Sequence, residues 1–258
     1  MSNYTYTVFT SNAGHSAKSP GASANGYAEH AQARLLNKEL IKIMKHHGHA
    51  VTDTTSEAAN KTAVLQEQVA KANRVGGGSK QLNLSFHLNA GGGSGVEVLH
   101  YGDSTKKLAA EISAAISKAL GVKDRGAKQR KDLYFLKQTK AHSILIEVCF
   151  IDSLIDMQKL LKRRAKVASA IAEVLAGPFE SSDRSSTDSS TSSTVSTGQS
   201  TYKGGSLVDF LKSKDVDSSF SNRANLAVVY GIVKKTSEYK GTSAQNTALL
   251  KAMRGDSK

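Results

Sequence analysis

Cysteine and long apolar runs are almost missing from this 258-residue sequence, and each absence narrows the possibilities. The single cysteine, Cys149, cannot form an internal disulfide, which fits synthesis in a reducing cytosol. No run of about 18 apolar residues is present, so we expect no membrane-spanning helix and no membrane insertion. Residues 1–5 lack a basic stretch followed by an apolar one, so we expect no secretory signal.

Tryptophan is absent and only 6% of the residues are aromatic, whereas basic residues are abundant. The chain has 35 Lys and Arg against 22 Asp and Glu, a formal net charge of +13. This charge indicates an acidic partner: nucleic acid, an anionic membrane or an anionic polymer. A nucleic-acid-binding protein without catalysis is the alternative that the composition supports least, because the basic residues are dispersed and few aromatic residues accompany them.

The excess of basic residues is confined to the two ends of the chain, which a Ser- and Thr-rich segment separates. Residues 1–180 contain 24 basic and 15 acidic residues (+9), and residues 203–258 contain 10 and 5 (+5). Between them, 15 of the 22 residues in 181–202 are Ser or Thr, and such a segment buries too little apolar surface to offset its ordering entropy. We therefore predict one large domain over 1–180, a flexible linker over 181–202 and a small module over 203–258.

Two hydrophobic periods alternate along the first domain. Segments rich in β-branched and apolar residues predict strands over Tyr4–Thr10, Ala50–Val51, Leu82–Leu88, Gly95–His100 and Ser143–Phe150. Segments with the helical period predict helices over Tyr27–His47, Thr55–Asn73, Ser104–Leu120 and Ser153–Leu175. This alternation predicts an α/β fold with a mostly parallel or mixed central sheet flanked by helices. Shorter helical patterns predict a C-terminal helical module: Ser206–Lys214, Asn222–Tyr230 and Ser243–Met253.

Titratable side chains stand at or just beyond the C-terminal ends of three predicted strands. His15 follows the first strand, His87 ends the strand over Leu82–Leu88, and Glu147 interrupts the apolar strand over Ser143–Phe150. Ligand sites of open α/β sheets collect at the carboxyl ends of strands. A carboxylate inside an apolar strand is costly unless it is paired, hydrogen-bonded or protonated, so Glu147 needs a specific reason to be there.

These residue types suit metal-dependent hydrolysis. Two imidazoles and one carboxylate make a zinc site whose fourth position stays open to water, and Glu29 near the start of the first helix offers the third ligand. Glu147 then offers a base for that water. Taken singly, the residues also have structural interpretations: an exposed loop histidine (His15), a hydrogen-bonded core histidine (His87), a carboxylate favoured by the helix dipole (Glu29) and a buried ion pair (Glu147). One joint site explains all four.

The motifs around these residues resemble those of a known family. They are Asn12-Ala13-Gly14-His15, the loop 21–26 that leads to Glu29, Ser85-Phe86-His87-Leu88-Asn89-Ala90, and the strand segment 144–150. Over about residues 5–176 the chain resembles the zinc-dependent N-acetylmuramoyl-L-alanine amidases of the amidase_3 type, found in bacterial autolysins and phage endolysins. This chain departs from the family in the first motif. The family more commonly has Asp-Pro-Gly-His there, whereas this chain has Asn12-Ala13-Gly14-His15. The resemblance implies that His15, Glu29 and His87 bind zinc and that Glu147 is catalytic.

The implied reaction is hydrolysis of the amide between N-acetylmuramic acid and L-alanine of the peptidoglycan stem peptide. A zinc exopeptidase acting on free peptides is the alternative among hydrolases. The C-terminal module is similar to a small wall-binding module of phage lysins over segments 217–223, 230–231, 239–242 and 245–247. We therefore expect peptidoglycan and anionic wall polymers of Gram-positive bacteria as partners. The resemblance favours an endolysin, made in the host cytoplasm and reaching the wall after a holin opens the membrane. A mother-cell sporulation amidase is the alternative role.

Overall fold

The computed structural model describes residues 4–177, 205–213 and 218–254. The chain divides into two units, Met1–Phe179 and Glu180–Lys258. The linker predicted over 181–202 lies outside the described residues, and the predicted domain boundaries stay predictions. No helix within the described ranges is both long and apolar enough to cross a membrane.

The first unit is built on a six-stranded sheet. Its strands are β1 (Val8–Ala13), β4 (Ala50–Asp53), β5 (Gln81–Asn89), β6 (Val96–His100), β7 (Asp124–Gln129) and β8 (His142–Phe150), in the spatial order β4-β1-β5-β8-β6-β7. Every neighbouring pair is parallel except β6 with β8, which is antiparallel. A separate antiparallel pair joins β2 (Ser23–Ala24) to β3 (Tyr27–Ala28). The predicted α/β fold with a mostly parallel central sheet is confirmed.

Helices cover both faces of this sheet. On one face α1 (Glu29–His46), α3 (Lys106–Leu120) and α5 (Leu154–Ala176) bury their apolar residues in the large core. On the other face α2 (Lys61–Val75) and α4 (Tyr134–Gln138) pack over a smaller cluster, formed by Val69, Leu99, Phe135, Leu136 and Leu145. The two faces therefore differ in how much apolar surface they bury.

Strand β5 shows how the sequence assigns residues to the two faces. Its apolar members all belong to the large core: Leu82, Leu84, Phe86 and Leu88. Because side chains alternate along a strand, Asn83, Ser85 and His87 point to the α2 and α4 face. There the Oγ of Thr10 donates to Oδ1 of Asn83 at 2.7 Å, and the Oγ of Ser85 donates to Oδ1 of Asn12 at 2.8 Å. Asn83 and Ser85 are thus hydrogen-bonded to polar side chains of β1 on this face.

Some element boundaries differ from the prediction. β1 runs to Ala13 rather than ending at Thr10, because pairing with β5 carries its polar last residues into the sheet. α2 begins at Lys61 rather than Thr55, since Asn60 caps it by accepting from the Ala63 amide at 2.9 Å. β7 was not predicted, because Asp124–Gln129 contains no large apolar residue and becomes a strand only by pairing with β6.

The described residues of the second unit, 205–213 and 218–254, form helices, as predicted. Its helices are α6 (Leu207–Ser213), α7 (Phe220–Val229) and α8 (Ser243–Arg254), with a 3-10 turn over Thr236–Glu238. Each helix contributes buried leucines, among them Leu211, Leu226 and Leu249. Ser219 caps α7 by accepting from the amide of Asn222 at 3.2 Å.

Candidate active site

His15 lies in the loop directly after β1 and has a backbone φ of +65°. This left-handed conformation is uncommon for a residue other than glycine. Arg34 of α1 donates from Nη1 to the His15 carbonyl at 3.4 Å and from Nη2 to the Ser56 carbonyl at 2.8 Å. Arg34 therefore ties the histidine loop to the segment that precedes α2.

Two glycines make room for the side chains of the site. A Cβ at Gly14 would lie 2.2 Å from Cε1 of His87, and a Cβ at Gly21 would lie 2.4 Å from Oε2 of Glu29. Gly21 also has a φ of +73°, which glycine adopts without strain. The glycines of the sequence motifs are therefore required by the imidazole and the carboxylate that pack against them.

Glu29 is the first residue of α1 and is buried, with 5% of its surface exposed. Its Oε2 accepts from the amide of Ala22 at 2.9 Å, and its Oε1 accepts from the amide of Leu88 at 3.2 Å. A carboxylate at this position is also favoured by the helix dipole. These contacts hold the carboxylate beside the end of β5.

His87 and Glu147 are neighbours across the sheet. The register of β5 and β8 places His87 beside Glu147, and the register of β8 and β6 places Glu147 beside Glu97. The residues that flank these positions, such as Phe86 and Ile146, belong to the large core. His87, Glu147 and Glu97 therefore form one row on the α2 and α4 face.

The structure brings His15, Glu29 and His87 together. One nitrogen or oxygen of each side chain lies within 4.8 Å of those of the other two. Oε1 of Glu29 is 2.8 Å from Nδ1 of His87 and 3.3 Å from Nε2 of His15. Two imidazole nitrogens and one carboxylate oxygen are a donor set typical of zinc, so these residues fit a metal ion.

Glu29 and His87 shift each other's pKa. Burial disfavours the charged form of Glu29, but hydrogen bonds to His15 and His87 outweigh it and hold the pKa of this carboxyl well below its usual range. Burial also disfavours the imidazolium of His87, yet its hydrogen bond to Glu29 and the charge of that carboxylate raise the pKa of the imidazole overall. Glu29 is therefore a carboxylate at neutral pH, which is the form that binds a metal.

Glu147 stands beside this cluster without joining it. Its Oε2 is buried and has no hydrogen-bond partner among the described residues. Burial raises the pKa of Glu147 to about 7; the charge of His87 opposes the shift, and the charges of Glu29 and Glu97 add to it. A carboxyl of this kind can take up and release a proton near neutral pH, as a general acid–base catalyst does.

Glu97 was not singled out from the sequence, although it belongs to the same row. Its Oε2 accepts from Nε of Arg125 at 2.8 Å, and its Oε1 accepts from Nδ2 of Asn89 at 3.0 Å. The Arg125 guanidinium also lies 5.0 Å from the centroid of the Phe150 ring. The signal that singled out Glu147, a carboxylate inside an apolar strand, was available for Glu97 as well.

The four predicted residues open into a cleft of about 640 Å³, a size typical of ligand sites. Side chains of α2 and of the segment leading into α4 line its walls, among them Lys61, Val64, Leu65, Gln68, Arg130, Asp132 and Tyr134. No pattern in the sequence indicated these wall residues. They come near the ligand cluster only because α2 and α4 pack on the same face of the sheet.

Cys149 takes no part in this chemistry, although it is two residues from Glu147. Its side chain is buried, and burial raises the pKa of the thiol well above its usual value, with a further contribution from the charge of Asp156. A buried thiol of high pKa is a poor nucleophile. Cys149 is therefore a packing residue of the large core.

Comparison with known proteins identifies relatives of the first unit. The profile of the family described as "Amidase_3: N-acetylmuramoyl-L-alanine amidase" matches residues 12–176, which is more than half of the chain. This range contains all four predicted site residues.

Two curated proteins and one solved structure illustrate the range of relatives. The endolysin of Bacillus phage SPP1 is 31% identical over 179 residues, covering 63% of this chain and 64% of the endolysin. The sporulation-specific N-acetylmuramoyl-L-alanine amidase of Bacillus subtilis (strain 168) is 29% identical over 150 residues, covering 57% of each chain. The present chain thus spans less than two thirds of either relative. The structure of the catalytic domain of the CD27L endolysin targeting Clostridia difficile superposes with a TM-score of 0.57 at 28% identity, covering 66% of this chain and 97% of that domain.

Proposed function

This chain belongs to the Amidase_3 family of N-acetylmuramoyl-L-alanine amidases, and from that membership we propose that it hydrolyses peptidoglycan at the amide between N-acetylmuramic acid and L-alanine. We propose His15, Glu29 and His87 as zinc ligands and Glu147 as the catalytic acid–base. The observation that carries this assignment is the convergence of three ligand atoms within 4.8 Å beside a buried carboxylate oxygen that has no partner among the described residues.

In the proposed mechanism each residue has a separate task. His15, Glu29 and His87 would hold a zinc ion, which would supply Lewis-acid chemistry at the scissile carbonyl and the attacking water. Glu147 accepts the proton of that water at its unpartnered Oε2 and then delivers it to the nitrogen of the leaving L-alanine. Glu29 is ionised and is held by the Ala22 and Leu88 amides, so that its carboxylate stands ready as a ligand beside the two imidazoles.

Product analysis tests the reaction. Digestion of purified Gram-positive walls should release stem peptides with a new L-alanine amino terminus and no new reducing sugars, detected by mass spectrometry. Metal analysis of the same preparation should find about one zinc per chain, and a chelator should stop the digestion until zinc is restored. Hydrolysis of free peptides but not of walls would instead identify the zinc exopeptidase.

For the biological role we propose an endolysin with a wall-binding C-terminal unit. The similarity to a phage endolysin supports this role, and so does the excess of basic residues in 203–258, which suits anionic wall polymers. The similarity to a sporulation-specific amidase keeps the second role open. Both roles use the same reaction.

Wall binding separates the two roles. We would compare two fluorescent fusions that carry Glu147→Gln, so that neither digests the wall: one of the whole chain and one that ends at residue 180. The whole-chain fusion should decorate vegetative Gram-positive walls, and the shorter fusion should lose most of this binding because it lacks the second point of attachment. Equal decoration by both fusions would show that the C-terminal unit does not bind the wall. Decoration of spore walls alone would favour the sporulation amidase.

A further inference from the structure

The α2 wall of the cleft places a free cation near the ligand cluster. Lys61, the first residue of α2, lines the same cleft as His87 and Glu147. Among the residues that the structure describes, none forms an ion pair or a hydrogen bond with the Lys61 ammonium group. Its charge is therefore available to a ligand.

The other cation of the cleft lining is already engaged. Arg130 donates from Nε and Nη2 to the two carboxylate oxygens of Asp132, at 2.8 and 2.7 Å. This bidentate ion pair uses two of the five N–H donors of the guanidinium. The Asp132 carboxylate already offsets the charge of Arg130, whereas no carboxylate of the described residues is paired with Lys61.

The side chains next to Lys61 indicate which type of anion it could bind. Val64 and Leu65 follow at the i+3 and i+4 positions of α2, and both also line the cleft. The wall therefore presents an ammonium group followed by two aliphatic side chains. This combination fits a peptide that carries a carboxylate next to a small apolar residue.

We propose that Lys61 binds a free carboxylate of the stem peptide, on the residue that follows L-alanine, and so makes this chain selective for stems in which that carboxyl is not amidated. The inference rests on the proposed function, because it assigns the α2 wall to the peptide side of the scissile amide. Lys61 is here a specificity-determining residue and takes no part in bond cleavage.

The test compares two synthetic muramoyl peptides that differ only in whether the carboxyl of the second stem residue is free or converted to an amide. The whole chain with zinc bound should cleave the free-carboxyl peptide with a kcat/KM roughly five to ten times higher, mainly through KM. Lys61→Gln should bring the ratio of the two kcat/KM values to about 1, and Lys61→Arg should keep most of the preference. Lys42→Gln, an exposed lysine of α1 outside the cleft lining, is the matched control and should not change the ratio.

Each outcome decides between the two claims. Equal cleavage of both peptides by the unmodified protein overturns the selectivity and leaves the amidase function intact. A Lys61→Gln variant that loses the same factor on both peptides also overturns it, because the lysine would then act on the cleft as a whole. If neither peptide is cleaved at the lactyl amide and walls are not digested either, the proposed function fails and this inference fails with it.

Discussion

The two faces of strand β5 contain alternate residues of one nine-residue segment, yet they differ in almost every physical respect. On one face Leu84 and Phe86 are almost completely buried in the large core against α1, α3 and α5. On the other face Ser85 is in a hydrogen-bond network, and His87 faces the cleft next to Glu147. In this strand, alternate residues therefore serve different purposes: those on one face stabilise the core, and those on the other line the candidate active site.

Substitutions on the two faces should therefore affect different properties of the protein. Substitutions on the core face should lower the free energy of unfolding, because they remove packed apolar volume. Substitutions on the cleft face at or beside the proposed zinc ligands and Glu147 should lower zinc affinity or turnover, because these side chains bind the metal or carry the proton.

The largest effect is expected from Glu147→Gln, in the middle of the row formed by His87, Glu147 and Glu97. Glutamine keeps the shape of the side chain but cannot carry a proton, so turnover on purified walls should fall about a thousandfold. Zinc content and the free energy of unfolding should not fall, since the change removes a buried carboxylate oxygen that has no partner in the described structure. A variant that keeps turnover within about tenfold would contradict the catalytic role.

The next effect, on stability, is expected from Phe86→Ala, one residue before His87 but on the opposite face. Removing this buried ring should lower the free energy of unfolding by about 3–5 kcal/mol, measured by urea denaturation. A loss below about 1 kcal/mol would mean that the core face is not closely packed.

A smaller effect, on metal binding, is expected from Gly14→Ala. The added methyl group would lie 2.2 Å from Cε1 of His87, so the imidazole would have to leave its position. Zinc affinity, measured by titration against a chelator, should fall about 10–100-fold. The matched control is Gly102→Ala, where an added Cβ meets no atom within 4 Å and the affinity should not change. Equal affinities for the two variants would show that Gly14 does not set the position of His87.

The smallest effect is expected from Ser85→Ala, on the cleft face but away from the ligands. It removes the hydrogen bond to Oδ1 of Asn12, which should cost about 1 kcal/mol of unfolding free energy. Turnover should stay within about twofold of that of the unmodified chain. A loss of unfolding free energy as large as that of Phe86→Ala would contradict the expectation that the core face contributes more to stability than the cleft face.

The sequence predicted the fold class correctly because hydrophobic periodicity reports which elements exist. It placed β5 and β8 nearly at their observed bounds, since β5 alternates apolar and polar residues over nine positions and β8 contains a long apolar run. It missed β7, whose polar residues carry no strand signal and depend on pairing with β6. It also began α2 six residues early, because the cap at Asn60 decides the start more sharply than the apolar spacing does.

The candidate site follows a similar division. His15, His87 and Glu147 could be singled out because titratable residues at strand ends or inside apolar strands are conspicuous. Glu97 has the same signal and was overlooked, and its pairing with Arg125 could not be foreseen since 28 residues separate the two. Lys61 and Arg130 have no sequence signal at all, because exposed basic residues are common throughout this chain.

Local sequence patterns were enough to assign residues to the two faces of each strand, because side-chain alternation and apolar periodicity are local properties of the chain. The contact of Glu29 with His15 and His87 comes from the folded chain, since it depends on the order of the strands and on the path of the loop between β1 and α1. The tertiary structure also decided that Lys61 lines the cleft without a partner among the described residues while Arg130 is paired with Asp132. Contacts between residues distant in sequence are set by packing, and packing cannot be read from local patterns.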